Sequence, residues 1–228
     1  RLCIAFFAFA VGCAPAQKPL TDYVNPMLGT ATLWDSVDLG FKPTKRTWGA
    51  EVFPGSSLPN AMVQVSPVTK FHSGAGYQYE DSVIYGFTHT NKGHWNLCHI
   101  PLLPVTGTPT PGDYCSPFSH ERESAAPGYY QVFLDRYGVD AQLSSTLRCA
   151  FHKYTYPAGA AASLLADLQR SNEHVRAWDI RKEGDNVFAG WQQTGEKMYF
   201  YAVANRPVTG IEPVVEGDRE VRIVRFGE

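Results

Sequence analysis

The 228-residue chain sets 20 Lys and Arg against 22 Asp and Glu, a formal net charge of −2. No basic excess exists to neutralise phosphates, so a nucleic-acid partner has no electrostatic support and is excluded from the expected partners. Hydrophobic residues at 44% and charged residues at 18% describe a soluble globular chain long enough for a sizeable core, while 13% aromatics with 20 Gly and 16 Pro favour short strands and turns over long helices.

The chain opens on Leu2–Val11 (LCIAFFAFAV), an apolar run too short to span a bilayer and suited to the core of a signal peptide. Small residues precede Cys13 and a polar linker follows it, which looks like a bacterial lipoprotein box, with Ala10 where such a box usually has Leu. Cys13 is then the lipidation site, and the only membrane contact is that lipid anchor. A plain secretory signal with an incidental cysteine is the alternative. Both place the protein outside the cytoplasm, in the periplasm or on the bacterial cell surface. Residues 1–17 are expected to be this leader and 18–228 a folded domain. Cys98, Cys115 and Cys149 are an odd set beyond the leader, so at least one stays unpaired.

Lys18–Thr30 carries turn signals at Asn25-Pro26 and Gly29-Thr30, Ala31–Thr47 reads as a polar surface loop, and a short strand is expected at Ala61–Val65. Lys70–Asp81 (KFHSGAGYQYED) is Gly-spaced loop chemistry. Then come two apolar strand-like runs, Val83–Phe87 and Ile100–Val105, with Thr88–Asn96 (THTNKGHWN) between them. A pyranose offers hydroxyls to His, Asn and Lys and a C–H face to Trp, so this insert suits a sugar site. It equally reads as a long turn in which Trp95 caps a sheet edge and the histidines face water. Zinc would accept His89, His94, Cys98 and His99, but adjacent strand residues face opposite ways, which argues against a shared ion.

Beyond the Pro- and Ser-rich Thr108–Ala126, Tyr129–Leu134 leads through a turn at Asp135–Gly138 into the longest alternation in the sequence. Val139, Ala141, Leu143, Leu147, Cys149 and Phe151 face one way in it, and the intervening polar residues, His152 included, the other. Strands follow at Ser163–Leu168, Val175–Ile180, Asn186–Gln192, Met198–Ala204 and Val221–Phe226, although Ala158–Leu168 has good helix propensity and its second half is read as strand because its neighbours are strands. Their spacing, with turn residues between, predicts an all-β antiparallel β-sandwich. Only Gly227 and Glu228 follow the last strand, with no partner or cap in view, so the chain is expected to be truncated at its C-terminal end. His72, His120, His152 and His174 stand apart in sequence and are expected at the surface. Trp34, Trp48, Trp178 and Trp191 are expected in the core or at sheet edges.

Five stretches in order carry a resemblance: YVNPMLGT (Tyr23–Thr30), FPGSSLPNAMVQVSP (Phe53–Pro67), GYQYEDSVIYGFTHT (Gly76–Thr90), IPLLPVTG (Ile100–Gly107) and Phe118–Pro157 with its SHERESAAPGYY. Together the chain resembles the N-terminal domain of glycoside hydrolase family 92, the calcium-dependent, inverting exo-α-mannosidases. The resemblance implies a β-sandwich followed by an (α/α)6 catalytic barrel that this chain does not contain, with the active site between the two. It also implies calcium held mainly by that barrel, and an α-mannoside oligosaccharide or glycan and the chain's own catalytic domain as partners. Inversion needs a carboxylic acid and a carboxylate about 6.5–9.5 Å apart across the glycosidic bond. Glu121 and Glu123 lie two apart on one segment, poor geometry for that pair, and are read as loop carboxylates. No catalytic residue is therefore expected here, and this stretch alone is expected to be inactive. What it is expected to supply is a substrate wall: Phe71, nearest before Gly76-Tyr77, for the leaving-sugar subsite, and His94, Trp95 and Asn96 where familiar members carry HTHLSGTG. A non-catalytic surface carbohydrate-binding module is the competing reading.

Overall fold

The computed structural model describes residues 18–32, 40, 52–92 and 95–227. The leader with Cys13, and also Trp34, Trp48 and His94, lie outside the described residues. Among the described residues no helix is long and apolar enough to cross a membrane.

The architecture is an antiparallel β-sandwich with an additional layer. A central seven-stranded sheet runs in the order Ser56–Ser57, Gln64–Val68, Gly86–Thr88, Leu102–Thr106, Ala162–Ala166, Arg219–Phe226, Val208–Glu216. Alternate side chains leave its two faces, as period-two geometry requires. Leu103, Val105, Leu165, Val221 and Ile223 pack with Tyr130, Val132, Leu134, Val139, Ala141 and Leu143 of a four-stranded sheet built from 123–155. Leu102, Leu164, Ala166 and Val224 pack on the opposite side with Ile180, Phe188, Met198 and Phe200. These last belong to a three-stranded sheet, Ala177–Gly184, Val187–Gln193 and Lys197–Val203. A buried middle strand such as Ala162–Ala166 reads as continuous apolar sequence because both its faces are covered, which resolves the helix-like appearance of that segment.

Two expectations are corrected. The long alternation is two strands, Val139–Ser145 and Ala150–Thr155, paired as a hairpin through Thr146–Cys149. The reversal shifts the phase, so His152 and Tyr154 turn inward while Leu147 and Phe151 are 53% and 64% exposed. The final strand, Arg219–Phe226, has partners on both sides, Ala162–Ala166 and Val208–Glu216. The latter was hidden by Gly210 and Pro213, tolerated because an edge strand leaves one row of backbone groups outside the ladder. Cys98, Cys115 and Cys149 are all free thiols.

Candidate functional site

Three segments far apart in sequence meet at one place, the Lys70–Asp81 loop among them. They border an open cleft of about 720 Å³ whose lining includes His72, Arg170, Glu173, His174, Arg176 and Trp178. Most of these come from the polar connection between Ala162–Ala166 and Ala177–Gly184, which the chain uses to cross from the central sheet to the three-stranded one. His72 and His174 are exposed at the surface, as expected, and share this cleft, while Trp178 packs against the core beneath the three-stranded sheet and also lines the cleft. The sequence signal for these residues was the density of hydrogen-bonding groups in Gln169–Arg176 (QRSNEHVR), between two strands that need no such insert.

Three amide side chains knit the backbones around the cleft. Asn172 Oδ1 accepts the His72 N–H at 2.6 Å, while its Nδ2 donates to the carbonyls of Ser73 and Asn96 at 3.0 and 2.6 Å. Gln192, fully buried, accepts the Ile100 N–H and donates to the carbonyls of Leu168 and Arg170. Asn96, 2% exposed, accepts the Cys98 N–H at 2.8 Å and donates to the Ala75 carbonyl at 3.0 Å. Gly76 passes over that amide with φ +74°, and a Cβ there would lie 2.6 Å from Asn96 Nδ2, so only glycine fits.

His72, Cys98 and Ile100 hold φ of 59°, 53° and 55°, left-handed backbone that L side chains avoid. For β-branched Ile100 the strain is greatest, and such strain persists only where neighbours over-determine it. Here Gln192 binds its N–H, and its carbonyl accepts His89 Nδ1–H at 2.9 Å.

Of the residues expected to touch a sugar, Phe71 is 7% exposed, packs with Val68 and Cys98, and lies outside the cleft lining. The Arg170 guanidinium sits 4.3 Å over its ring and Tyr85 meets it edge-on at 6.0 Å. Trp95 is half-buried in the ribbon formed by Asn91–Lys92 and Trp95–Asn96, outside the cleft lining. Asn96 points inward with its amide engaged at both ends, a bracing part rather than an open contact.

The histidines and acids of the motif stretches have other partners. His89 Nδ1–H binds the Ile100 carbonyl, which leaves Nε2 to accept His152 Nε2–H at 3.0 Å, and His152 Nδ1 then accepts Tyr154 O–H at 2.7 Å. Burial pushes His89 down to about 4 and His152 well below its ordinary value, the latter helped by its neighbour His89. His152 is thus an interior group and not a surface one. Burial raises the Cys98 thiol to about 12, so it is not a ready thiolate. Among the described residues no three His, Cys, Asp or Glu side chains gather to hold a metal ion.

Glu121 is exposed, but Glu123 is not a loop carboxylate. It opens the strand Glu123–Ala126, and its side chain is 2% exposed. It accepts hydroxyls from Tyr77 at 2.9 Å and Tyr130 at 2.5 Å, and His120 Nδ1 at 2.5 Å. His120 in turn stacks flat on Tyr79, with ring centroids 3.9 Å apart.

The family model of the glycosyl hydrolase family 92 N-terminal domain matches residues 23–222. A solved family 92 alpha-mannosidase from Bacteroides thetaiotaomicron is similar over 92% of this chain at 25% identity and TM-score 0.77. The same enzyme in complex with mannoimidazole gives TM-score 0.76, again at 25% identity and over 92% of this chain, and 31% of that one. A family 92 inverting mannosidase of that bacterium, at 22% identity over 93% of this chain and 30% of that one, shares the fold with TM-score 0.71. The chain spans only 32% of the first of these enzymes. No curated protein matches it.

Proposed function

The chain belongs to glycosyl hydrolase family 92, whose N-terminal domain it carries, and from that premise we propose that it forms one wall of the substrate cleft of an exported, inverting α-mannosidase. The observation that carries this reading is the cleft itself. Arg170, Glu173 and His174 from one connection, and Trp178 from the strand that follows it, share a lining with His72 from another, in a stretch matched throughout by the family. Such a lining offers donors, an acceptor and a flat aromatic face, the set that a saccharide ring uses.

In this reading Phe71 is the floor of a leaving-sugar subsite, His94 and Trp95 form its rim, and Asn96 braces the rim from inside. The bond-breaking acid and base come from the remainder of the protein, as does the calcium shell, so no chemical step is routed through these residues or through the ion. Cys13 remains the expected lipid-bearing residue of an envelope-anchored enzyme.

The test is to express the complete protein and assay α-1,2-, α-1,3- and α-1,6-linked mannobiose with and without a calcium chelator. Hydrolysis with inversion, abolished by the chelator and absent from residues 18–228 alone, is the expected result. Turnover by 18–228 alone, or a complete protein inert towards every α-mannoside, sinks the proposal.

A further inference from the structure

Glu173 reaches the cleft with its side chain 40% exposed, and the other end of its hydrogen bonding lies deep in the protein. Its Oε2 accepts the Thr194 hydroxyl at 2.6 Å. Thr194 is fully buried and lies 3.0 Å from Nε2 of His99, itself 1% exposed, and His99 Nδ1 lies 2.8 Å from the Thr90 hydroxyl. The direction of this chain is fixed by proton count. Thr194 has one hydroxyl proton and gives it to the carboxylate, so it must accept from His99 Nε2–H. His99 Nδ1 is then bare and accepts from Thr90 O–H. Glu173 ends the chain as a pure acceptor, and its Oε1 has no partner among the described residues.

A second observation points to the same group. Cys98 and Ile100, both left-handed, bracket His99 in sequence, and Gln192 and His89 hold Ile100 there. A core has no need of two strained residues around a buried imidazole whose hydrogen bonds finish on an exposed carboxylate, and strain of this kind collects at sites where geometry is functional. The lining around Glu173 narrows the ligand. Arg170, Arg176 and Arg219 oppose a metal cation, whereas Glu173 and Asp218 oppose an anion. A neutral polyhydroxyl compound meets both signs through hydroxyl donors and acceptors.

We propose that Glu173 is a saccharide-hydroxyl acceptor in this cleft, and that Thr194 and His99 are the positioning residues that aim it. The assignment rests on the reading of the cleft as a glycan wall. In the complete protein acting on an α-mannobiose, Glu173→Gln is expected to raise KM about tenfold with kcat unchanged, the difference between a charged and a neutral acceptor. Thr194→Val should raise KM in the same direction, Thr194→Ser should restore it, and the double variant should be no worse than Glu173→Gln alone. Should Thr194→Val fail to fold, Glu173→Gln at the exposed end still decides. An unaltered KM in Glu173→Gln, at an unaltered unfolding midpoint, overturns the assignment and leaves the glycan wall standing. Absence of any α-mannoside binding or cleavage by the wild type removes the wall, and the assignment with it.

Discussion

Asn172 Oδ1 holds the backbone N–H of His72 at 2.6 Å across 100 residues of sequence. With its amide nitrogen on the carbonyls of Ser73 and Asn96, one side chain fixes both the left-handed turn at His72 and the ribbon that carries Trp95. Asn172→Ala removes three hydrogen bonds and should cost about 2–3 kcal/mol, at roughly 1 kcal/mol each. Hydrogen exchange should quicken at 72–74 and 95–97 and stay unchanged in the Tyr129–Leu134 strand. A loss below ~0.5 kcal/mol in urea unfolding, where bare noise in surface substitutions lies, would mean that Asn172 is not the clamp.

The pair His89 and His152 makes the fold sensitive to acid. Both imidazoles are neutral in the folded protein, His89 down at about 4, while the unfolded chain titrates them near the ordinary value of about 6.5. Their contribution is therefore fully present above pH ~6.5 and is lost as pH falls towards the folded values, because only the unfolded state takes up protons in that window. For His89 alone the loss between pH 7.5 and pH 5 is about 2 kcal/mol, an upper figure since that residue keeps a partial opening to solvent. Asp167, whose carboxyl burial pushes up, works in the opposite direction at lower pH. The readout is therefore the difference between wild type and His152→Gln in denaturant midpoints at the two pH values. Equal pH slopes would show that the pair does not carry the effect.

Period two and turn chemistry made most strands legible, because one-sided burial writes itself into sequence as alternation. Alternation does not reveal where a chain doubles back: Val139–Phe151 reads as one strand although Thr146–Cys149 reverses it. Nor does it show Val208–Glu216, whose Pro213 is compatible with an edge. The cleft was less legible for another reason. His72, Glu173 and Trp178 become neighbours only through the long-range clamps of Asn172 and Gln192, and no local pattern encodes such pairings. Thr88–Asn96 drew attention by its polar density, yet its Asn96 braces backbone.

Arg219 stabilises a carboxylate that has no other cationic contact as short. Asp167 is fully buried, with Arg219 at 2.7 Å and the Tyr114 hydroxyl at 2.6 Å on its Oδ2. Arg219→Ala strands that charge in the interior and should cost about 3 kcal/mol, the usual penalty for breaking a buried pair from one side. Arg219→Ala in an Asp167→Asn background should cost much less. Additive losses in this double-mutant cycle would count against the pairing.

Trp95 is half-buried in its ribbon and outside the cleft lining, so its proposed role is at the rim. Trp95→Ala in the complete protein should weaken α-mannoside turnover through KM, by up to about tenfold for loss of a stacked ring. Identical KM and kcat would remove Trp95 from the substrate wall.

Glu123 is where the motif stretches are tied together. Its carboxylate receives Tyr77 from the cleft loop, Tyr130 from the four-stranded sheet and His120 from the turn before it. Gly76, next to Tyr77, accepts the N–H groups of Thr69 and Lys70 at 2.8 and 3.2 Å, so this carboxylate anchors the loop that carries Phe71 and His72. Glu123→Ala leaves two tyrosine hydroxyls and an imidazole N–H without their acceptor and should cost about 3 kcal/mol or more. Glu123→Gln should cost only about 1–2 kcal/mol, since its oxygen can still face the tyrosines. If Glu123 acts through the loop, Glu123→Ala also speeds hydrogen exchange at 69–77 and raises the KM of the complete protein, whereas Glu123→Gln does neither. A Glu123→Ala protein as stable as wild type, with loop exchange unchanged, would show that the buried carboxylate is a bystander and that Tyr77 is held by packing alone.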